Sequence, residues 1–439
     1  MNQLLKPGQT LRTHTSGAVC TIKEFLGGGG QGEVYRSDIN GKPCAVKIYH
    51  PQYLENDQRQ RKRLEMAIKL GPPSDRFLWP TELVSGVDSS TLGYVMPLRE
   101  PRFKGIIDLM KRQIEPTFYA LATAGFELAH SFLLLHARGL AYRDISLGNV
   151  FFDPSNGETR VCDNDNVDVD KQPGYVDGTP RFMAPEIVNG TGSPNALTDL
   201  HSLAVLLFYL FVIHHPLDGA RESSIRCFDL PAQKLLYGTR PIFVFDPKDN
   251  SNRPVPGYHN NALILWPIYP ELLKALFTRA FTAGLMNPDA RVRESEWRGA
   301  MLDLRDSIFY CACGMQNFYD ADTLRKSGKL GHCWSCKNEL RLPCRVRIGK
   351  HAIMLNHDSK LFPHHTDGQR AYDLSKPVAE VVRHPSNPQL WGLKNLSGDK
   401  WVMTAADSAL HDVEPGRSVS LAQGIKINFG HGAEGEIRA

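Results

Sequence analysis

The sequence predicts an α+β chain in successive parts: an α+β body over residues 1–305, a small metal-stapled module at 306–344, and an all-β sandwich at 345–439. Three observations predict it. A glycine cluster, Gly27 to Gly32, breaks a run of strand-like segments near the start. Apolar residues then recur at helical spacing from Thr117 to Arg138, and a second apolar helix is expected at 200 to 213. After Asp306 the composition changes, first to four closely paired cysteines and then to short apolar runs divided by Gly, Asn, Asp and Pro turns.

At 439 residues the chain has material for two or three domains. Its 42% hydrophobic and 22% charged residues are those of an ordinary globular protein. A net charge of +4 is small for this length and gives no reason to expect nucleic acid as a partner. The opening MNQLLKPGQTLRTHTSG lacks the apolar stretch and cleavage site of a secretory signal, and the run Leu203 to Ile213 is about half of what crosses a bilayer. The expectation is a cytoplasmic protein with no membrane partner. In that setting nine cysteines favour metal binding over disulfides.

The first strands are expected at Ala18–Phe25 and Pro43–Tyr49, around the loop LGGGGQGEVYR. Glycines let the backbone approach phosphates closely with its amides turned toward them. A bare G-x-G-x-x-G also serves dinucleotide folds, but there a helix follows the loop, whereas Glu33-Val34-Tyr35 continues as strand. Asn56 to Leu70 reads as a helix stopped by Gly71-Pro72-Pro73. Two more strands, Glu82–Val87 and Thr91–Met96, lead to Met96-Pro97-Leu98. The helix at 117–138 then delivers the segment Gly139–Asn149, GLAYRDISLGN. It sets Asp144 five residues before Asn149, a carboxylate for a hydroxyl nucleophile beside a neutral oxygen ligand for a metal. Alone, such a pair is also ordinary turn chemistry.

Taken together, these segments resemble the eukaryotic-like, Hanks-type protein kinases of bacteria. The matching motifs are Gly27-x-Gly29-x-x-Gly32-x-Val34, Ala45-Val46-Lys47, Arg143-Asp144 to Asn149, Asp163, Gly178-Thr179-Pro180-Arg181-Phe182-Met183-Ala184-Pro185-Glu186, Asp199 and Arg291, in family order. The resemblance implies a bilobal body, with an N-lobe at 10–98 and a C-lobe at 99–305. It implies an ATP site formed by Gly27, Gly28, Gly29, Gly30, Gly32, Val34, Ala45, Lys47, Met96 and Leu98. Glu65, with Glu55 as the fallback, is expected to orient Lys47. Asp144 is expected to act on the substrate hydroxyl. Asn149 and Asp163 are expected to hold Mg2+, with Asp165 the alternative to Asp163. The 178–186 segment resembles the peptide-binding end of an activation segment and implies a protein substrate of the serine/threonine class.

The chain departs from the family at several points. Tyr142 stands where histidine is usual, Ser146 where a lysine is usual, and Asn164-Asp165 where Phe-Gly is usual. No Ser or Thr lies between Asp163 and Gly178, only Tyr175, with Asp168, Asp170 and Asp177 close by. Fixed carboxylates are therefore expected to stand in for a regulatory phosphate near Arg143.

Beyond residue 305, Cys311-x-Cys313 precedes Cys333-x-x-Cys336 by nineteen residues, the spacing of a four-cysteine tetrahedral site. This resembles a zinc ribbon and implies a structural Zn2+, with His332 a minor contender and Cys344 a bystander. Trp391–Gly398, Val413–Gly416 and Ile425–Gly430 resemble a forkhead-associated domain without its full phosphothreonine-reading set. Histidines 351, 357, 364 and 365 read as solvated loop residues without carboxylate partners. The whole arrangement resembles kinases that accompany a metal-dependent protein phosphatase and a von Willebrand A protein, in a bacterial signalling or stress-response system. It implies those two partners. The reading is an ATP-dependent protein serine/threonine kinase, set against a pseudokinase scaffold that recruits partners through its C-terminal domains.

Overall fold

The computed structural model describes residues 3–86, 91–170 and 178–438. The chain divides into two compact units. The first is Met1–Pro116, Ala124–Leu263 and Leu276–Arg298; the second is Thr117–Thr123, Ile264–Ala275 and Gly299–Ala439.

The first unit begins with six strands, β1 (Thr10–Thr13), β2 (Val19–Gly28), β3 (Gly32–Ile39), β4 (Lys42–Tyr49), β5 (Glu82–Ser85) and β6 (Gly93–Met96). They close into a barrel in the order β1-β2-β3-β4-β6-β5, all pairings antiparallel. Period-two alternation along β4 decides the site. Val46 and Ile48 enter a core with Leu11, Cys20, Ile22 and Tyr35. Ala45 and Tyr49 join a second cluster with Leu64, Tyr94 and Met96, so Lys47 stands on that second face. Gly32 is required by the sheet itself, because a Cβ there would run into the Ile48 carbonyl.

The single helix expected over 56–70 is two helices, α1 (Pro51–Asn56) and α2 (Gln60–Leu70). Asp57 makes the break. Its amide ends α1 on the Tyr53 carbonyl (3.0 Å), its carboxylate accepts the Arg59 amide (3.2 Å), and it forms a buried ion pair with Arg63. The strand expected to reach Val87 ends at Ser85, and Val87 itself lies outside the described residues.

A short strand β7 (Lys104–Gly105) and helix α3 (Ile106–Met110) lead to α4 (Phe118–His136). By length and composition α4 would cross a membrane, but 67% of its apolar window is buried in the protein. Strand β8 (Leu140–Ala141) precedes a hairpin of β9 (Val150–Phe152) and β10 (Thr159–Val161), paired Val150 to Val161. Then follow β11 (Asp168–Val169), α5 (Pro185–Val188) and α6 (Ala196–Val212). Helix α6 is buried from Thr198 to Val212, as an apolar run of that length requires.

In the second unit, two antiparallel sheets contribute to one core. Six strands between Arg345 and Arg438 form one sheet, and four between Lys360 and Ser420 form the other. Val346, Trp401, Ile427 and Phe429 of the first pack with Leu361, Val381, Leu393 and Val419 of the second, with Cys344 at the edge. A smaller hairpin, Ile308–Tyr310 with Gln316–Phe318, precedes them.

Candidate active site

A cleft of about 590 Å³ opens in the first unit. Its apolar walls are Leu26, Val34, Ala45, Met96, Leu98 and Phe151; its polar end holds Lys47, Asp144, Asn149 and Asp163, beneath Gly27 to Gly30. An apolar slot with a few convergent polar groups is the usual form of a small-molecule site. Each of the expected glycines lines this cleft. A Cβ on Gly27, Gly29 or Gly30 would meet nothing within 4 Å, so backbone there is open to a ligand.

The β9–β10 hairpin brings the polar residues together. Asn149 enters it and Cys162 leaves it, joined by the Cys162 amide on the Asn149 carbonyl (2.8 Å), which puts Asp163 beside Asn149. Arg143 and Asp163 both occupy the left-handed region, with φ of 74° and 54°. The surroundings enforce the first of these. Buried Asp199 of α6 accepts the amides of Tyr142 (2.6 Å) and Arg143 (2.9 Å), and it also meets His136 Nε2 (3.1 Å). Tyr142 is fully buried and donates its hydroxyl to the Cys162 carbonyl, so it ties the loop to the turn holding Asp163.

Asp144 accepts the Thr179 hydroxyl on Oδ1 (2.6 Å). Asn149 donates its amide to the Asp144 carbonyl (2.8 Å) and to Oδ2 (3.3 Å), which leaves the Asn149 side-chain oxygen as a free acceptor type for a cation. Burial pushes the Asp144 carboxyl up, and the bonds from Thr179 and Asn149 oppose it.

Lys47 is 3% exposed and forms ion pairs with both Asp163 and Asp165, the latter at 2.9 Å. It also donates to Gln31 (2.8 Å), whose amide reaches Asn166 (3.1 Å). Burial would lower the Lys47 ammonium, but the two carboxylates raise it above its ordinary value. Burial and the neighbouring Asp165 push Asp163 up to about 7, against the pull of Lys47. Burial also works against an ionised Asp165, yet Lys47 and the Tyr49 hydroxyl hold it below the usual range. Two carboxylates share one lysine, so a second cation beside Asp163 would favour its ionised form. With the oxygen donors of Asn149 and Asp163 adjacent, that set suits a hard divalent cation such as Mg2+.

One expected site residue is misplaced. Glu65 does not approach Lys47; its side chain is 52% exposed and lies 3.9 Å from Arg61. Helix α2 buries Gln60, Arg63, Leu64 and Ala67, a stripe at i, i+3, i+4 and i+7 that excludes position 65. Glu55, on α1, is exposed. Gln60 holds the inner position, bonded to the Tyr49 hydroxyl (2.6 Å) and the Asp165 carbonyl (3.1 Å). Gln31 and Thr179 sit inside the glycine loop and the 178–186 segment at positions to which the sequence assigns no partner, and Tyr49 and Gln60 lie outside the motifs.

Around the cleft, Asn164 is fully buried and donates to the carbonyls of Leu78 (2.9 Å) and Val161 (3.0 Å). Arg143 reaches Asp168 (3.5 Å) and the Val169 carbonyl (3.1 Å), whereas Tyr175 and Asp177 lie outside the described residues. Arg291 grips Glu186 with two nitrogens, at 2.9 and 2.7 Å.

In the second unit the sulfurs of Cys311, Cys313, Cys333 and Cys336 all lie within 4.8 Å of one another. Cys311–Cys336 is 3.6 Å and Cys313–Cys333 is 3.8 Å. A disulfide needs about 2 Å, while four thiolates about 2.3 Å from a central zinc sit roughly 3.8 Å apart. His332 and Cys344 are outside this group.

The histidines are not all solvated. His351 meets Asp303 (3.3 Å), and buried His365 meets Asp306 (3.1 Å). His364 lies against His365, and burial drives it down to about 3. Asp306, His364 and His365 bring one ligand atom each within 4.8 Å of one another. The Phe362 amide donates to His365 Nδ1 (2.9 Å), so Nε2 carries the proton and gives it to Asp306.

The family model for the protein kinase domain matches residues 20–240, half of the chain. Relatives include the DNA damage-responsive serine/threonine-protein kinase RqkA of Deinococcus radiodurans, 27% identical over 46% of this chain and 31% of that protein. The serine/threonine-protein kinase PkaB of Streptomyces coelicolor is 27% identical over 48% of this chain and 52% of its own length. The serine/threonine-protein kinase drp72 of Corynebacterium efficiens is 24% identical over 47% and 41% respectively. The chain thus spans about half or less of the length of each of these relatives.

Proposed function

Since the chain belongs to the protein kinase family, we propose that it is an ATP- and magnesium-dependent protein serine/threonine kinase. The observation that carries this is the Thr179–Asp144 bond, which sets the one carboxylate suited to a hydroxyl nucleophile at the polar end of the glycine-covered cleft. In this reading Ala45, Val34, Met96 and Leu98 bind the adenine, and Lys47 with the 27–32 loop holds the phosphates. Asn149 and Asp163 hold the cation, which when bound offsets charge on the phosphates. Asp144 orients the substrate hydroxyl and receives its proton. The segment ending at Glu186 supports a protein substrate and the serine/threonine class.

Purified chain with labelled ATP, Mg2+ and a generic protein substrate tests this beside Asp144→Ala. Label that disappears in the variant supports the kinase; equal label in both, or none in either, rejects it.

The finer reading concerns regulation and the second unit. Asp168 against Arg143 supports a kinase that is active without loop phosphorylation. The four sulfurs support a structural Zn2+ in a zinc ribbon, closed by four protein ligands. The two sheets with a shared core support a forkhead-associated-like sandwich used for docking. A von Willebrand A protein as substrate and a metal-dependent phosphatase as counterpart, in a cytoplasmic bacterial stress response, complete the proposal by resemblance.

A further inference from the structure

We propose that Asp165 is the positioning residue for Lys47, so that the lysine's anchor comes from the same three-residue turn as the cation ligand Asp163 and not from helix α2. This rests on the phosphotransfer reading of the cleft and adds what keeps its lysine in place.

The geometry is specific. Lys47 Nζ lies 2.9 Å from Asp165 Oδ2, and the same oxygen accepts the Tyr49 hydroxyl. Gln60 donates to that hydroxyl oxygen (2.6 Å) and to the Asp165 carbonyl (3.1 Å). Asp165 is 1% exposed, Gln60 is fully buried, and Tyr49 is 2% exposed. A buried carboxylate that accepts one tyrosine hydroxyl is expensive to desolvate unless it keeps a cationic partner. Lys47 is that partner. Asp163 also touches Lys47, but in the proposed site its oxygens belong to the cation, and Asp165 is the carboxylate left to the lysine. Helix α2 has no competing group: its acidic residue, Glu65, faces solvent. Its inward position carries the neutral Gln60, which holds the anchor without supplying charge.

The test moves the charge. Asp165→Asn keeps the shape and removes the charge; Asp165→Asn with Gln60→Glu puts a carboxylate back from the helix side. Binding of Mg-ATP to the full chain is measured by calorimetry, and phosphotransfer by kcat and KM for ATP. We expect Asp165→Asn to weaken Mg-ATP binding and lower kcat/KM by about 30-fold, as loss of a group that orients a phosphate ligand does. The double variant should recover at least a tenth of the wild-type value, which a merely structural role would not allow. Values for Asp165→Asn within about threefold of wild type overturn the proposal, and so does a loss that Gln60→Glu leaves unrepaired. Should Asp165→Asn not fold, Tyr49→Phe removes one hydroxyl from the same anchor and must weaken Mg-ATP binding; unchanged affinity rejects the idea. A chain that binds Mg-ATP yet never transfers phosphate rejects the kinase reading alone, because the affinities still report on the anchor.

Discussion

The Thr179 hydroxyl donates to Asp144 Oδ1 at 2.6 Å, joining the segment that ends at Glu186 to the carboxylate at the polar end of the cleft. That bond fixes one carboxylate oxygen and leaves the other to Asn149. Thr179→Ala should lower kcat about tenfold with little change in KM for ATP, because the threonine touches the carboxylate and not the nucleotide walls. Asp144→Asn should lower kcat by about 10²–10⁴-fold with Mg-ATP affinity retained. Steady-state kinetics beside calorimetry checks both; a Thr179→Ala effect confined to KM would contradict this arrangement.

Arg291 is 3% exposed and pairs with Glu186 through both terminal nitrogens, while also reaching the Leu197 and Gly284 carbonyls. Removing the arginine strands a carboxylate and two carbonyls. Arg291→Ala should therefore destabilise the first unit by about 3–5 kcal/mol. Glu186→Gln, which leaves amide oxygen and shape in place, should cost less. Denaturant melts of the two variants give the comparison.

His136 lies between Asp199 and Glu294, and although burial alone would lower it, those carboxylates raise it to about 9. Its folded value exceeds the ordinary 6.5 or so, so its contribution is complete below pH 6.5 and fades as pH rises through 9. The span is worth roughly 3 kcal/mol as an upper figure. The melting temperature of the wild type should fall across that window, and His136→Gln should flatten the fall. Parallel curves for the two proteins would show that the histidine is neutral throughout.

The four-cysteine cluster predicts one zinc per chain by elemental analysis, and loss of that metal with a strong chelator should lower the melting temperature. Cys333→Ser should lower metal content, while Cys344→Ser, outside the cluster, should not. Equal metal in both variants would place the ion elsewhere.

Much of the site was legible because it is linear. Lys47, Asp144, Asn149 and Asp163 each stand in a short motif whose spacing reports the turn or strand that presents it. What escaped was cross-strand and cross-helix. Glu65 carries the charge, but the stripe Gln60, Leu64 and Ala67 decides which face of α2 is inward, and it points a neutral amide there. The break at Asp57 was hidden because good helix formers flank it on one side and a side chain's competition for the backbone ends the turn. His351 and His365 look unpartnered in the sequence because Asp303 and Asp306 are 48 and 59 residues away along the chain.

Asn164 occupies the place where the family usually has an aromatic plug, and it is held by two directional bonds to the carbonyls of Leu78 and Val161. A plug of that kind has one seat. Swinging it outward would break both bonds inside a buried site, a polar cost that an aromatic plug does not carry, so a small molecule that wedges behind this turn must offset it. Selective inhibitors of this chain should be sought among compounds that stay in front of the turn, against Leu26, Val34 and Phe151.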